Sequence, residues 1–525
     1  MRKTIVKQNR YFDSVFLMLV ARRIAAQPGI RDASAVLGTA ANRKVLAAMG
    51  YGAGDEAFAG AGPNDLVLAL EGEPAAVDAV AAEADSWLAR GSGAPEGAGS
   101  ALPEPRTVAE AVARRPDASV AIISVPGQHA AREARAALRA GLHVFLFSSN
   151  VSAEDELALK TEAAGRGLIV MGPDCGTAFL GGAGLGFANA VRRGPIGIVG
   201  PTGTGMQEFA SLVHQAGSGL SSGIGTGSRD LSDAIGGLST LAGIEALEAD
   251  PATQVLTVLA KPPGAGAEAR LRKRLDRCAK PVVLCLLGTE DRAVGGRVRL
   301  ASTIDEAARL ALEAAGQGWP RSLACDPGEL RAAAVAEVGR MRPEQRHIRG
   351  LFSGGTLCYQ AQAIFRRAGL AVRSNAPLPG MAELPDPHRS LGSTFVDLGA
   401  EIFVDGRPHP MIDATLRRKR LDQEGEDPEV AVVLLDFILG AIASPDPVGD
   451  LLGAARGAQR AARRRGGHLC LAASVCGTDQ DTQGLQTQVR ALAEAGVLVF
   501  PTAAQAAAFC QEAMLLLAER KEADR

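Results

Sequence analysis

Four Gly-Thr pairs offer this chain its clearest chemistry: Gly203-Thr204, Gly288-Thr289, Gly355-Thr356 and Gly477-Thr478. At the first, an apolar strand ends and Met206, Phe209, Ala210 and Val213 then fall at helical spacing until Gly217 stops the helix. Glycine lets the backbone turn sharply and a ligand come close, and threonine caps the first free N–H groups. A helix start of this kind presents unpaired N–H donors and the positive end of the helix dipole, which suits phosphate or carboxylate. A single pair is commonly no more than a turn and a cap. Two in register, in duplicated domains, would make facing helix starts and a site for a transferring anionic group.

Duplication is visible in the residues themselves. Residues 196–217 read IGIVGPTGTGMQEFASLVHQAG and residues 348–369 read IRGLFSGGTLCYQAQAIFRRAG, which aligns Gly203-Thr204 with Gly355-Thr356 at an offset of 152. LLGTEDRAVGG and SVCGTDQDTQG align Gly288-Thr289 with Gly477-Thr478 at an offset of 189, so the later copy carries 37 extra residues, expected near 375–411.

Other reactive side chains read more plainly. His214 sits two turns into the first helix and reads as packed or surface-facing, and His129 lies near a helix start where a ligand contact is unproven. Cys358 follows one Gly-Thr pair and Cys476 precedes another, and both read as small apolar fillers. Arg463, Arg464 and Arg465 form a solvated helix end. Arg229, in GTGSRD, can grip a carboxylate bidentately or join a surface ion pair.

The composition excludes several partners. In 525 residues, 56 basic and 58 acidic side chains give a net charge of −2, no electrostatic footprint for nucleic acid or an anionic membrane. Aromatics at 4% argue against base-stacking platforms, and 47% hydrophobic content argues for a folded chain. The apolar run 431–443 is interrupted by Asp436, and no stretch reaches the roughly 20 residues of a membrane helix. Eight cysteines without a CxxC pair indicate neither zinc site nor disulfide framework, so a reducing cytoplasm is expected.

The elements that must position these residues alternate. Residues 1–90 read as a small split-βαβ-like unit closing in one helix over 75–88, and the Gly-, Ala- and Pro-rich 91–105 as a flexible linker. From 107 onward short apolar strands alternate with helices in three blocks, the pattern of parallel sheets with covered faces. Residues 316–345 read as mostly one charged helix.

SVAIISVPGQHAAREARAALRAGLHVFLF through VMGPDCGTAFL resembles the second half of the CoA-binding domain of the succinyl-CoA synthetase superfamily, with Gly172-Pro173-Asp174-Cys175 as its GPNC-like turn. The block from Gly194 resembles the α-subunit ligase domain, and the final block the C-terminal domain of the β subunit, with Phe395-Val396-Asp397-Leu398-Gly399 at its FLDVGG-like stretch. The resemblance spans 107–515, in the order of FdrA-like proteins, whose start YFDSVFLMLVARRIAAQPGI also resembles. It implies a multi-domain α/β fold: a small α/β domain (1–90), the linker (91–105), a Rossmann-like domain (106–193), an α-type ligase domain (194–318), a helical linker (319–345) and a β-type C-terminal domain (346–525). The last two ligase-type domains would be duplicated and flavodoxin-like.

Departures from the superfamily bear on the chemistry. No GHAG-like phosphohistidine loop occurs, and Ala260-Lys261-Pro262-Pro263-Gly264 stands where the glutamate of a GEIGG-like stretch supports that histidine. The 316–345 connection has no room for an ATP-grasp domain, and residues 1–90 do not resemble the half-domain that cradles CoA phosphate. FdrA-like proteins are associated with oxamate carbamoyltransferase activity. The resemblance therefore implies a subunit of that enzyme, interconverting carbamoyl phosphate and oxamate with oxalurate and phosphate in allantoin and purine-nitrogen breakdown, together with other subunits. Gly203, Thr204, Gly205, Gly355 and Thr356 would hold phosphate, with Gly288, Thr289, Gly477 and Thr478 as further contacts. Lys261 would neutralise charge on the leaving group and Arg229 would grip the carboxylate. No metal or cofactor is assigned, since the departures count against CoA and nucleotide. The alternatives are an acyl-CoA synthetase subunit completed by partner chains, and a non-catalytic scaffold.

Overall fold

The computed structural model describes residues 1–10, 12, 14–52, 54–91, 105–289, 297–405 and 407–523. The linker expected at 91–105 therefore falls almost wholly outside the described residues, as does 290–296, where the histidine loop would lie. Two compact units are formed, one of residues 1–104 with 401–408, the other of residues 105–400 with 409–525.

In the smaller unit the strand Leu66–Gly72 lies between Arg2–Lys7 and Ile30–Leu37, antiparallel to both. Leu66, Leu68 and Leu70 face a core with Leu17, Val20, Ile24 and Val77, while Val67 and Ala69 face Leu46, Tyr51 and Phe58. Both faces of the central strand are thus covered, which explains its unbroken apolar run. The single closing helix expected here is two, Pro74–Ala82 and Ala84–Gly91.

The larger unit holds three sheets. Val120–Ile123, His143–Leu146 and Val170–Met171 pair in parallel in that order, joined by the helices Gly127–Arg139 and Ala153–Gly165. Ala130, Ala134 and Ala137 are fully buried on the first of these helices. A seven-stranded sheet follows, in the order Val298–Ala301, Val282–Leu286, Val255–Ala260, Arg193–Gly200, Leu220–Gly225, and then a hairpin of Thr177–Leu180 and Ala183–Gly186. That hairpin, next to the GPNC-like turn in sequence, joins this sheet rather than the preceding one.

The second seven-stranded sheet repeats the first. Leu498–Phe500, Cys470–Cys476, Val430–Ile438, His347–Phe352 and Thr394–Asp397 match its first five strands in order, and Arg373–Ser374 and Ala382–Glu383 complete the edge. Ile198 pairs with Gly223, and its counterpart Gly350 pairs with Phe395, so most of the extra chain is already present before Phe395. The insert is therefore shared among several connections and runs later than expected, since part of it lies between Val430–Ile438 and Cys470–Cys476. Val430–Ile438 is buried at all nine positions, including Asp436. Residues 316–345 carry one α-helix, Pro327–Val338, which packs along Ala503–Ala523. No helix among the described residues is long and apolar enough to cross a membrane.

Candidate functional site

The first helices of the two repeats, Gly203–Gln215 and Gly355–Arg367, start against each other. Thr202, not Thr204, is the cap of the first: its Oγ1 accepts the N–H of Gly205 at 3.2 Å. The same oxygen lies 2.7 Å from Thr356 Oγ1, a hydroxyl–hydroxyl bond that is fully buried. A Cβ on Gly205 would stand 2.5 Å from Thr202 Oγ1 and 2.8 Å from the Thr356 methyl, so glycine is what lets the helices close. Thr356 and Gly205 thus serve the contact between the repeats, whereas Gly203, Thr204 and Gly355 remain partly accessible.

The second helix start carries its own carboxylates. Asp436, 1% exposed, accepts the N–H groups of Ser353 at 2.8 Å and Gly354 at 2.7 Å, and Arg417 pairs with it at 3.0 Å. This meets the helix dipole with a protein anion where a ligand anion was expected. Asp397 lies beside Gly355; its Oδ1 accepts the Gly399 N–H at 2.9 Å. Burial pushes its carboxyl up, offset in part by Lys261 and that hydrogen bond. His409 Nε2 would lie 2.7 Å from a Cβ on Gly399, and burial, with the Arg417 charge, lowers its pKa to about 4. Its Nδ1 accepts the Met411 N–H, so the neutral ring carries its proton on Nε2.

The first helix start is different. Thr177 Oγ1 lies 3.6 Å from where a Cβ on Gly203 would stand. Thr177 is 1% exposed, and its hydroxyl has no hydrogen-bond partner. The N–H groups of the first turn have no intrahelical acceptor, and that of Gly205 is already taken by Thr202. Lys261 follows the strand Val255–Ala260, next to Arg193–Gly200, at the carboxyl edge of the same sheet. Its Nζ lies 5.3 Å from the Tyr359 ring centre, and among the described residues it makes no hydrogen bond or ion pair.

The other expected site residues lie elsewhere. Gly288 O accepts from Arg366 and Thr289 Oγ1 donates to Leu286 O. Gly477 O accepts from Gln215 at 2.8 Å, and Thr478 bonds Ala190 O and Asp481. These pairs receive the far end of the other repeat's 13-residue first helix, and so lie away from its start. Arg229 pairs with Glu156 at 2.9 Å and donates to Val151 O, as part of a domain contact. His214 is buried and bonded to Asp479 at 2.5 Å, while the Cys358 and Cys476 thiols are pushed up by burial. Thr177, Asp397, Asp436 and His409 are absent from the expected set. Only Asp436 gave a usable sign, as the one acid in a long apolar run.

A CoA-ligase family profile matches residues 351–516, and a profile for the AllF heavy metal-associated domain matches 1–104. The uncharacterized protein YahF of Escherichia coli (strain K12) is 40% identical over 501 residues, 95% of each chain. The chain belongs to the YahF family, and residues 351–516 carry its CoA-ligase domain. The ADP-forming succinate–CoA ligase α subunit of Methanothermobacter thermautotrophicus is 29% identical over 217 residues, 39% of this chain and 72% of that protein. Among solved structures, the dinucleotide-forming acetyl-coenzyme A synthetase 1 of Ca. Korarchaeum cryptofilum covers 77% of this chain and 84% of its own, at 17% identity and a TM-score of 0.28. ATP citrate lyase of Methanothrix soehngenii with citrate and coenzyme A covers 42% and 39%, at 21% identity and a TM-score of 0.33.

These matches correct the expected chemistry. The family profile and the succinate–CoA ligase relative point to a ligase-type fold, so the expectation of a carbamoyltransferase falls. The heavy-metal profile meets a second disagreement: residues 1–104 contain neither cysteine nor histidine, so they offer such a metal no thiolate or imidazole.

Proposed function

We propose that the chain is one component of an acyl-CoA-synthetase-type ligase and holds the phosphate end of an acyl phosphate at the start of helix Gly203–Gln215. The Thr177 hydroxyl carries this reading. A buried unpaired hydroxyl costs about 1–3 kcal/mol, and here it lies beside a helix start with free N–H donors. An oxyanion against Gly203 would satisfy both. In the transfer step a CoA thiolate attacks the acyl carbon, the bond from that carbon to the phosphate oxygen breaks, and phosphate leaves with the bonding pair. First-turn N–H groups, Thr177 and Lys261 stabilise the growing charge on that oxygen. The nucleotide-using step falls to partner chains, since this chain lacks the phosphohistidine loop.

The test is titration of the full chain with inorganic phosphate and acetyl phosphate by calorimetry, followed by thioester formation from acetyl phosphate and CoA. Thr177→Val, Gly203→Ala and Lys261→Ala should each weaken binding about tenfold, equivalent to 1.4 kcal/mol, without lowering the unfolding midpoint, and Thr177→Val should raise it by relieving the unpaired hydroxyl. Binding equal in wild type and all three variants would refute the site. A second reading, a scaffold, is favoured by Asp436 and the Thr202–Thr356 bond, which commit the second helix start to packing. It predicts no phosphate binding at all.

A further inference from the structure

A cavity of about 300 Å³ opens on the other side of the first repeat, lined by Phe179, Gly182, Asn189, Arg192, Leu220 and Gln480 among others. That volume is at the lower end of small-molecule sites. We propose that it binds a small monocarboxylate with a flat apolar body, at a place separate from the helix starts.

The walls are built from both repeats and held by polar bonds. Asn189 Nδ2 donates to Leu439 O and to Asp481 Oδ2, both at 2.9 Å, and the Ala190 N–H donates to Asp481 Oδ1 at 2.8 Å. Thr478 Oγ1 donates to Ala190 O at 2.7 Å, so the loop carrying Gln480 is tied to the loop carrying Arg192. A cavity with such walls exists before a ligand arrives, which lowers the ordering cost of binding.

The lining has two characters. Phe179 and Leu220, 3% and 2% exposed, give it an apolar floor. Arg192 gives it a cation. One of its terminal nitrogens donates to His214 O at 2.6 Å, and the other is only 3.5 Å from Asp479, a weak contact that leaves donors for a ligand. Arg193 lies with its aliphatic stem against Gly182. Asp481, the nearest buried acid, is already occupied by three N–H donors. An apolar floor under a guanidinium selects a carboxylate with a hydrophobic body.

Arg192 also clamps His214, donating its backbone N–H to Nδ1 at 3.1 Å, and His214 Nε2 in turn bonds Asp479. Filling the cavity therefore touches the end of helix Gly203–Gln215 opposite its free start.

Benzoate and its neutral analogue benzamide serve as probes, measured by saturation-transfer NMR on the full chain. Benzoate should bind, benzamide at least tenfold more weakly, and Arg192→Gln should abolish the difference. Ala190→Trp, which fills the mouth, should remove benzoate binding while phosphate binding stays. Equal binding of the two probes, benzoate binding that survives Ala190→Trp, or no benzoate binding at millimolar concentration would overturn the proposal.

Discussion

Gly203 and Gly205 are two residues apart in the same helical turn, yet alanine at each should do opposite things. At Gly205 the new methyl meets Thr202 Oγ1 at 2.5 Å and Thr356 at 2.8 Å, inside a contact that cannot open without separating the repeats. The cost expected for such overpacking is about 1–3 kcal/mol, read as a lowered midpoint in denaturant unfolding. At Gly203 the only neighbour is Thr177 Oγ1 at 3.6 Å, an ordinary contact, so Gly203→Ala should unfold no earlier than wild type. Equal destabilisation by both would mean that the space beside Thr177 is packed rather than open. The glycine-threonine pattern located this turn from sequence, but TGT offers two threonines and the wrong one was read as the cap. The remaining members of the site arrive from far along the chain. Asp397 and Asp436 come from strands whose neighbours give no hint that they meet at Gly354-Gly355, because only sheet order brings them there, and His409 reaches Gly399 from a turn.

At the scale of elements, the helix Ala153–Gly165 is docked on the first repeat through a charge sealed from water. Lys160, 0% exposed at its side chain, pairs with Glu156 at 2.8 Å and Asp230 at 2.7 Å and donates to Thr226 O at 2.9 Å. Asp230 in turn accepts the Ser239 and Thr240 N–H groups at the start of Leu238–Ala249. Removing the lysine leaves buried Asp230 without a cation and Glu156 with Arg229 alone, so Lys160→Met should cost about 3–5 kcal/mol in urea unfolding. A loss below 1 kcal/mol would mean that water reaches the cluster. The alternating pattern made the strands and helices of this region readable, since covered parallel strands are short and apolar. It could not reveal that Thr177–Leu180 and Ala183–Gly186 extend the next sheet, because a Gly-rich hairpin has the same composition wherever it pairs. Arg229 illustrates the same limit: GTGSRD left a ligand carboxylate and an ion pair equally open, and the docked helix Ala153–Gly165 delivers Glu156 to it.

Over the whole of the larger unit, the two repeats hold each other by exchanging helix caps. Glu208 Oε1 accepts the Ala503 N–H at 3.0 Å, at the first turn of the second repeat's last helix. Gln360, its counterpart at the same offset as the Gly-Thr pairs, accepts the Ile304 N–H at 2.7 Å, at the first repeat's last helix. The duplication was legible from sequence, but not this reciprocity, since a buried Glu and a buried Gln at equivalent positions look like unrelated polar residues. The difference has a consequence for pH. Burial raises the Glu208 carboxyl to about 7, with the Ala503 hydrogen bond pulling it down and Asp305 and Asp436 pushing it up. Between the ordinary carboxylate range and about 7 the folded chain holds one proton more than the unfolded chain. Its stability therefore falls as pH rises through that window, by on the order of 3 kcal/mol, and stays low above it. Gln360 carries no such proton. Glu208→Gln should make the first repeat behave like the second, flattening the decline of unfolding free energy between pH 5 and 8 and raising stability at the upper end. If the variant and wild type keep parallel stability curves across that range, the Glu208 carboxyl is ionised in the folded chain and the interface is held by charge instead.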